Sequence, residues 1–124
     1  MKETELRVGN LIIINEEVDM ITGIWHEIRS HGVSNIFIQA KNDLDYPIKD
    51  IKPVLLTKEW LLKFGFRGED RYFLSPNGYV LMLQKNGVIK FNGLIFNESK
   101  RILYVHQLQN LYFAVTQKEL TIKN

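Results

Sequence analysis

The feature that most constrains the fold is a stretch near the C-terminus, residues 104–117, in which none of the 14 residues is Lys, Arg, Asp or Glu. About a quarter of residues in a typical domain are charged, so a charge-free window of this length arises by chance only roughly 2% of the time. Its apolar residues recur at the i, i+3, i+4 and i+7 spacing of one helical face: Leu108, Leu111, Tyr112 and Val115, with Val105 one turn earlier. The stretch therefore predicts an amphipathic helix that needs a sheet or another helix to cover its apolar face.

The polar side of this predicted helix carries amides where a surface helix normally carries charges. It consists of Gln107, Gln109, Asn110 and Gln117, with His106 at its start. Interface cores are depleted in charged residues, and amides pair with a partner without the desolvation cost of ions. These five residues are therefore a candidate interaction surface. The alternative is that the helix lies in the centre of the monomer, which would also explain the missing charges.

The composition is that of a folded domain and excludes cysteine chemistry. The 124 residues are 45% hydrophobic and 24% charged, which suits one ordinary domain or two very small ones. Cysteine is absent, which excludes disulfides, a thiol nucleophile and a zinc–thiolate site. The first residues are acidic, and the longest early apolar run, residues 11–14, is too short for a signal core or a membrane span. We therefore expect a cytoplasmic protein that has no membrane association.

The two halves of the chain carry opposite charge. Residues 1–56 contain six Lys or Arg and nine Asp or Glu, a net −3, whereas residues 57–124 contain ten and five, a net +5. Because phosphate contacts supply most non-specific affinity for nucleic acid, only the second half suits such a partner. Its candidate basic patch consists of Lys63, Arg67, Arg71, Lys85, Lys90, Lys100 and Arg101. A scattered, solvated set of charges is the alternative.

The first half, residues 1–56, predicts a small β-barrel subdomain. Short apolar runs between turn residues predict five strands, at residues 11–14, 18–26, 35–40, 44–48 and 52–56. Gly23 predicts a bulge inside the second strand, and Pro47 places the fourth strand at an edge. A single helical turn at residues 48–51 precedes the last strand. This order predicts an SH3-like barrel, with a plain curved meander as the alternative.

The second half, residues 57–124, predicts an α+β subdomain that shares a core with the first. Thr57 is a good N-cap and Gly65 a good C-terminal stop for a short helix. Residues 67–71 read as a charged loop. The strands and hairpin turns then follow in order, with strands at residues 72–74, 79–85, 88–91, 94–96 and 120–122 and hairpin turns at residues 86–87 and 92–93. The charge-free helix is expected to pack on this antiparallel meander.

Three segments of the chain form a recognisable set. They are residues 5–10 (ELRVGN), 53–66 (PVLLTKEWLLKFGF) and 104–114 (YVHQLQNLYFA). Together they resemble a group of small uncharacterised bacterial and phage proteins, often found in prophages and other mobile elements. The resemblance spans nearly the whole chain and implies a phage or mobile-element context. It brings no established activity and no catalytic residue, and it leads us to expect glycine where this chain has Gln117.

Two groups of side chains have the chemistry of metal ligands: His26 with Glu27 and His31, and Asp43 with Asp45 and Asp50. Neither group has a known ligand spacing, and the aspartates lack the glycine and distal glutamate of an EF-hand loop. Solvated loop residues are the favoured interpretation of both. No serine lies in a nucleophile-elbow pattern, and no phosphate-binding glycine fingerprint is present. We therefore predict no enzyme, no metal and no cofactor.

Three functional hypotheses follow. The first is a non-enzymatic small binding or adaptor protein of phage or mobile-element origin, which uses the amide-rich helix face to bind another protein or itself. The second is nucleic-acid binding by the basic patch, with Tyr72 and Phe73 stacking on bases. The third is capture of a small nucleotide in phage counter-defence, by aromatic residues near Arg67 and Arg71. If the amide side chains of the helix were buried within the monomer, the reason for the first hypothesis would be lost.

Overall fold

The structure is a computed structural model that describes residues 2, 5–28 and 34–123. The chain divides into two compact units, Met1–Val54 and Leu55–Asn124. In the described part of the first unit there are five strands: β1 (Leu11–Ile14), β2 (Glu17–Ile28), β3 (Ser34–Ala40), β4 (Asp45–Pro47) and β5 (Lys52–Pro53). The second unit contains α1 (Lys58–Lys63), β6 (Arg67–Glu69), β7 (Tyr72–Leu74), β8 (Val80–Gln84), β9 (Gly87–Phe91), β10 (Leu94–Ile95) and α2 (Val105–Thr116). The predicted α+β class is confirmed.

The first sheet is antiparallel, with the strand order β4-β3-β2-β1-β5. β4 lies at an edge, as Pro47 predicts, because proline cannot donate to a neighbouring strand. The predicted helical turn is a single 3-10 turn, Ile48–Asp50, ahead of β5. Among the described residues β4 and β5 are not paired with each other, so the sheet is open and a closed SH3-like barrel is not confirmed.

The long strand β2 changes register at Gly23, which confirms the predicted bulge. Its beginning pairs with β1, where Leu11 lies opposite Met20. From Ile21 onward it pairs with β3, with a shift in register between Ile21 and Gly23. A Cβ atom at Gly23 would lie 2.9 Å from the Gln39 Oε1 atom. Glycine therefore lets the strand bend while the Gln39 side chain lies close over its backbone.

The core of the first unit is aliphatic. Its buried residues are Leu6, Ile12, Ile14, Ile21, Ile38, Ala40 and Ile51. β-Branched side chains fit a pleated surface well, and in β1 the alternation is direct, since Ile12 and Ile14 are buried while Leu11 and Ile13 are only half-buried. Four isoleucines from three adjacent strands thus form the centre of this core.

The second sheet is an antiparallel meander with the order β10-β9-β8-β7-β6. The prediction of a loop at residues 67–71 is wrong in part, because Arg67 pairs with Leu74 and Glu69 with Tyr72 to make β6. All three residues of β6 are exposed. Since an edge strand can be charged and carry no apolar pattern, the sequence gives little sign of it.

Two further predictions concern the ends of strands. The hairpin at Asn92-Gly93 joins β9 to β10, as predicted. At the other hairpin the turn lies one residue earlier than predicted, because Gly87 already pairs with Gln84 as the first residue of β9. The predicted strand at residues 120–122 is wrong, since this segment makes no strand pairing, although Leu120 is buried.

The short helix α1 is bounded as predicted. The Thr57 Oγ1 atom accepts a hydrogen bond from the Trp60 N–H at 3.4 Å, the arrangement of a side-chain N-cap. After the helix, Gly65 has φ +87°, in the left-handed region that favours glycine. Two turns of helix are marginal alone, and burial of Leu61 and Phe64 supplies the packing.

The helix α2 confirms the prediction from the charge-free stretch, but its buried face is rotated. The buried residues are Val105, His106, Leu108, Gln109 and Tyr112. Val115, predicted to be buried, is 40% exposed. Apolar residues surround more than one side of this helix, so two overlapping stripes fit the spacing, and tertiary packing selects the one that contains Gln109.

Tyr112 connects α2 to the inner face of the second sheet. Its ring makes edge-on contacts with Phe91, Phe66 and Tyr79, at centroid distances of 6.3, 6.3 and 5.9 Å. Phe91 lies directly opposite Leu81 in the sheet, and both are fully buried. Such edge-to-face pairs add to the area that the rings bury, so Tyr112 is the central contact of α2.

Candidate interaction surface

The amide of Gln107 is used within the chain. Its Oε1 atom accepts hydrogen bonds from the Leu103 N–H at 2.9 Å and the Tyr104 N–H at 3.1 Å. These backbone groups lie at the start of α2, where a helix cannot pair them itself. Gln107 therefore caps the helix, a local role for which the third helical position is suited.

Two of the predicted surface residues are buried. His106 is fully buried and its ring stacks on Tyr104 at 5.9 Å, while Gln109 is only 2% exposed. Asn110 is half-buried and Gln117 is exposed. The five predicted residues thus do not form one accessible surface, because two of these polar side chains are buried.

Gln117 takes the conformation for which the resemblance predicts glycine. It ends α2 with φ +62°, and its backbone N–H donates to the Phe113 carbonyl at 2.8 Å. A left-handed residue is the usual end of a helix, and glycine is the usual choice there. The cap geometry is thus formed by a residue that adopts this region at a cost.

The seven residues of the predicted basic patch are divided among several places. Arg71 and Lys85 line one shallow groove of about 560 Å³ at the turn end of the second sheet, together with Asp70, whose carboxylate lies 3.9 Å from the Arg71 Nε atom. Lys63 lies over the Trp60 ring at 4.4 Å. The other members are Arg67 on β6, Lys90 on β9, and Lys100 and Arg101 before α2.

A second set of residues was not singled out by the sequence: the outer face of the second sheet. It consists of Arg67, Glu69, Tyr72, Leu74, Val80, Met82, Lys90 and Ile95, which the strand pairing places side by side on the face opposite Phe73, Leu81 and Phe91. Tyr72, Leu74 and Val80 are each about half exposed, and Ile95 is 78% exposed. A contiguous set of apolar side chains with this much exposure is unusual.

The centre of this outer face forms a groove of about 300 Å³. It is lined by Tyr72, Val80, Met82, Lys90, Asn92 and Gly93. Apolar walls with one cation and one amide are suited to a ligand or partner that is mostly apolar and carries an acidic group. The sequence signal that could have found this face is the unbroken apolar run of β7 and β8, which predicts two covered faces rather than one.

The structure also shows where the other predicted stacking and metal-binding residues lie. Phe73 points inward and is buried, so only Tyr72 of the predicted pair is accessible. His26 is exposed on β2, whereas His31 lies outside the described residues. The three aspartates of the second predicted group, Asp43, Asp45 and Asp50, are all exposed. Within the described ranges no three His, Asp or Glu side chains come together as metal ligands.

In the part of the chain that the structure describes, no helix has the length and apolarity needed to cross a membrane. Comparisons of the chain with protein-family models, with curated proteins and with solved structures found no match.

Proposed function

We propose that this chain is a small, non-enzymatic binding protein of phage or mobile-element origin that acts in the cytoplasm. Its contact surface is the outer face of the second sheet, rather than the amide side of α2. The observation that carries this proposal is the set of adjacent exposed apolar side chains, Tyr72, Leu74 and Val80, of which Tyr72 and Val80 line one groove. Exposed apolar patches rimmed by polar residues mark interaction sites.

The charge of the face points to the chemistry of the partner. The apolar side chains of this face are accompanied by two cationic residues, Arg67 and Lys90, and by one carboxylate, Glu69. The second half of the chain, residues 57–124, has a net charge of +5. Complementary potentials speed encounter and exclude wrong partners. The proposed partner is therefore a protein whose contact surface is apolar and bordered by carboxylates.

The test is affinity capture from host lysate with three baits: the wild-type chain, Val80→Glu and Val115→Glu. Val80 and Val115 are valines of similar exposure, 45% and 40%, on β8 and α2. A carboxylate in the centre of the apolar face should lower recovery of the partner at least about tenfold, whereas Val115→Glu should not. Equal recovery by all three folded baits would refute the proposed surface.

Nucleic-acid binding is the second candidate, because Tyr72 and Lys90 line the same groove. A base would stack on Tyr72 and a phosphate would contact Lys90 or Arg67. With a labelled oligothymidine, Tyr72→Ala should weaken binding by about 1–3 kcal/mol, and Lys90→Ala should reduce the salt slope by about one. No salt-sensitive binding at micromolar protein would exclude this function.

The first unit fits an SH3-like barrel, which we propose as its finer fold. Three features support it: five strands, a 3-10 turn immediately before β5, and a long β2 that pairs with β1 and then, past the bulge at Gly23, with β3. An experimental structure in which the β4 and β5 edges approach each other would establish the closed form.

A further inference from the structure

The first unit carries an aromatic surface on the outer side of its sheet. Trp25, Phe37 and Pro47 lie directly opposite one another on β2, β3 and β4. The Trp25 and Phe37 rings are stacked, with centroids 4.5 Å apart and planes at 13°. Trp25 is 40% exposed, and Phe37 and Pro47 are half-buried. We call these three residues the aromatic row.

The aromatic row is more than a device for pairing strands. A cross-strand aromatic pair stabilises a sheet by about 0.2–1 kcal/mol. The pair of Trp25 and Phe37 would supply this stabilisation without Pro47. Pro47 continues the flat apolar strip onto the edge strand β4, and proline has no backbone N–H to donate. The result is a strip three strands wide with an exposed indole, whereas the fully buried core residues described in this unit are aliphatic.

Acidic and amide side chains share the face of the aromatic row. Since side chains alternate along a strand, Glu27 lies on the same face as Trp25, and Asp45 on the same face as Pro47. Gln39 lies on this face of β3 directly opposite Asp45, whereas Glu27 lies beyond Trp25 at the other end of the row, opposite Asn35. Residues 1–54 contain six Lys or Arg and nine Asp or Glu, a net −3. Carboxylates beside an exposed ring surface are suited to a cation, which is attracted to the face of an indole as well.

We infer that the aromatic row binds an extended, cationic segment of a partner protein. One arginine or lysine of that segment would lie on the side of the Trp25 ring that Phe37 leaves open, and another would lie beside Asp45 on β4. The Gln39 amide would hydrogen-bond the backbone of the segment. An extended segment is required because the row crosses three strands and provides a strip rather than a cavity. This inference concerns a different unit and a different charge from the proposed function and does not rest on it.

The test is a titration followed by the two tryptophan indole N–H signals in a ¹H–¹⁵N correlation spectrum. The chain has two tryptophans, so Trp60 on α1 reports any non-specific effect within the same sample. The probes are a blocked hexapeptide that alternates leucine and arginine and its leucine–glutamate counterpart. The arginine peptide should shift the Trp25 signal in a saturable manner at low salt, and the glutamate peptide should not.

Variants separate the aromatic row from general electrostatic attraction. Trp25→Leu keeps an apolar side chain and removes the ring, and it should weaken the arginine peptide about two- to fivefold, as read from the amides of β3. Asp45→Asn should weaken binding by a similar factor, whereas Asp70→Asn, the same change on an exposed turn of the second unit, should not. If Trp25→Leu unfolds the first unit, the Asp45 and Asp70 pair gives the answer.

Four results would overturn the inference. One is an unmoved Trp25 signal at millimolar arginine peptide. A second is an equal shift of the Trp25 and Trp60 signals, and a third is an equal response to both peptides. The fourth is a Trp25 signal that moves with protein concentration in the absence of peptide, because a second copy of the chain would then occupy the row.

Discussion

The two units differ in which side chains the outer faces of their sheets carry. In the described residues of the first unit the fully buried core is aliphatic, and the rings of Trp25 and Phe37 stack on the outer face. The second unit buries Phe73 and Phe91, and its outer face carries the ring of Tyr72 among leucine and valine side chains. Rings at a surface can recognise cations, whereas aliphatic chains offer only apolar area. Two sheets with five strands each are thereby suited to different partners.

Charge strengthens this difference. The first unit is net −3 and the second is net +5, so the aromatic row faces water in an acidic environment and the outer face of the second sheet in a basic one. The two proposed surfaces would therefore favour partners of opposite charge.

The largest expected effect contrasts the two cores. Phe91 and Ile38 are both fully buried. We expect Phe91→Ala to lower the free energy of unfolding by about 3–5 kcal/mol and Ile38→Ala by about 2–5 kcal/mol, with Phe91→Ala the larger because more apolar area is lost. Urea denaturation followed by circular dichroism measures both. Ile95→Ala, at a highly exposed site, is the control and should stay within about 0.5 kcal/mol; a comparable loss there would contradict the assignment of inner and outer faces.

The next contrast concerns glycine in each sheet. Gly87 has φ +103°, and a Cβ atom there would lie 2.5 Å from the Ile102 carbonyl oxygen. We expect Gly87→Ala to cost about 2 kcal/mol or more, since both backbone strain and backbone overlap oppose it. Gly23→Ala should cost less than about 1 kcal/mol, because its nearest neighbour is the movable end of the Gln39 side chain. Thermal unfolding of both variants gives the comparison, and a costlier Gly23→Ala would reverse it.

A smaller effect is expected from a comparison of two side-chain amides: Gln107, which caps α2, and Gln39, which we propose contacts a partner. Gln107→Ala removes the two cap hydrogen bonds of α2 and should destabilise the chain by about 1 kcal/mol. Gln39→Ala, on the outer side of the first sheet, should change stability by less than about 0.5 kcal/mol. Chemical denaturation distinguishes them. Equal losses would mean that the Gln39 amide is structural too, and would weaken its proposed role in binding.

The smallest effect is a gain. Gln117 and Glu16 both have positive φ, +62° after α2 and +67° in the turn between β1 and β2. Gln117→Gly and Glu16→Gly should each raise the free energy of unfolding by up to about 1 kcal/mol, because glycine adopts this region without steric cost. Differential scanning calorimetry would detect the change. A loss of stability in either variant would show that the side chain contributes more than the backbone strain costs.

Local signals predicted most of the elements. Glycine at the bulge, proline at the edge and the Thr57 cap each act through one or two neighbouring residues, so their outcome can be read from sequence. The strand β6 could not be predicted, because three exposed residues carry no apolar pattern. The buried face of α2 could not be fixed either, since only packing against Phe91 and its neighbours decides between two apolar stripes.

The candidate surfaces required the pairing of strands. Trp25 and Phe37 are 12 positions apart in the chain and become neighbours only through the register of β2 and β3. Tyr72 and Lys90 meet in the same way through β8. The charge-free helix, by contrast, could be recognised in the sequence. A lack of charge is expected both of a helix that binds a partner and of a helix that is buried in its own chain, so the sequence could not decide between them. In the structure His106 and Gln109 are buried.

The most direct test of the two proposed surfaces is one titration of the ¹⁵N-labelled chain with the two charge-reversed hexapeptides, leucine–arginine and leucine–glutamate. We predict opposite selectivity: the arginine peptide shifts the Trp25 indole signal and the Phe37 amide signal, and the glutamate peptide shifts the amide signals of Tyr72, Val80 and Lys90. The same set of signals responding to both peptides, or the glutamate peptide acting on the Trp25 indole, would contradict it.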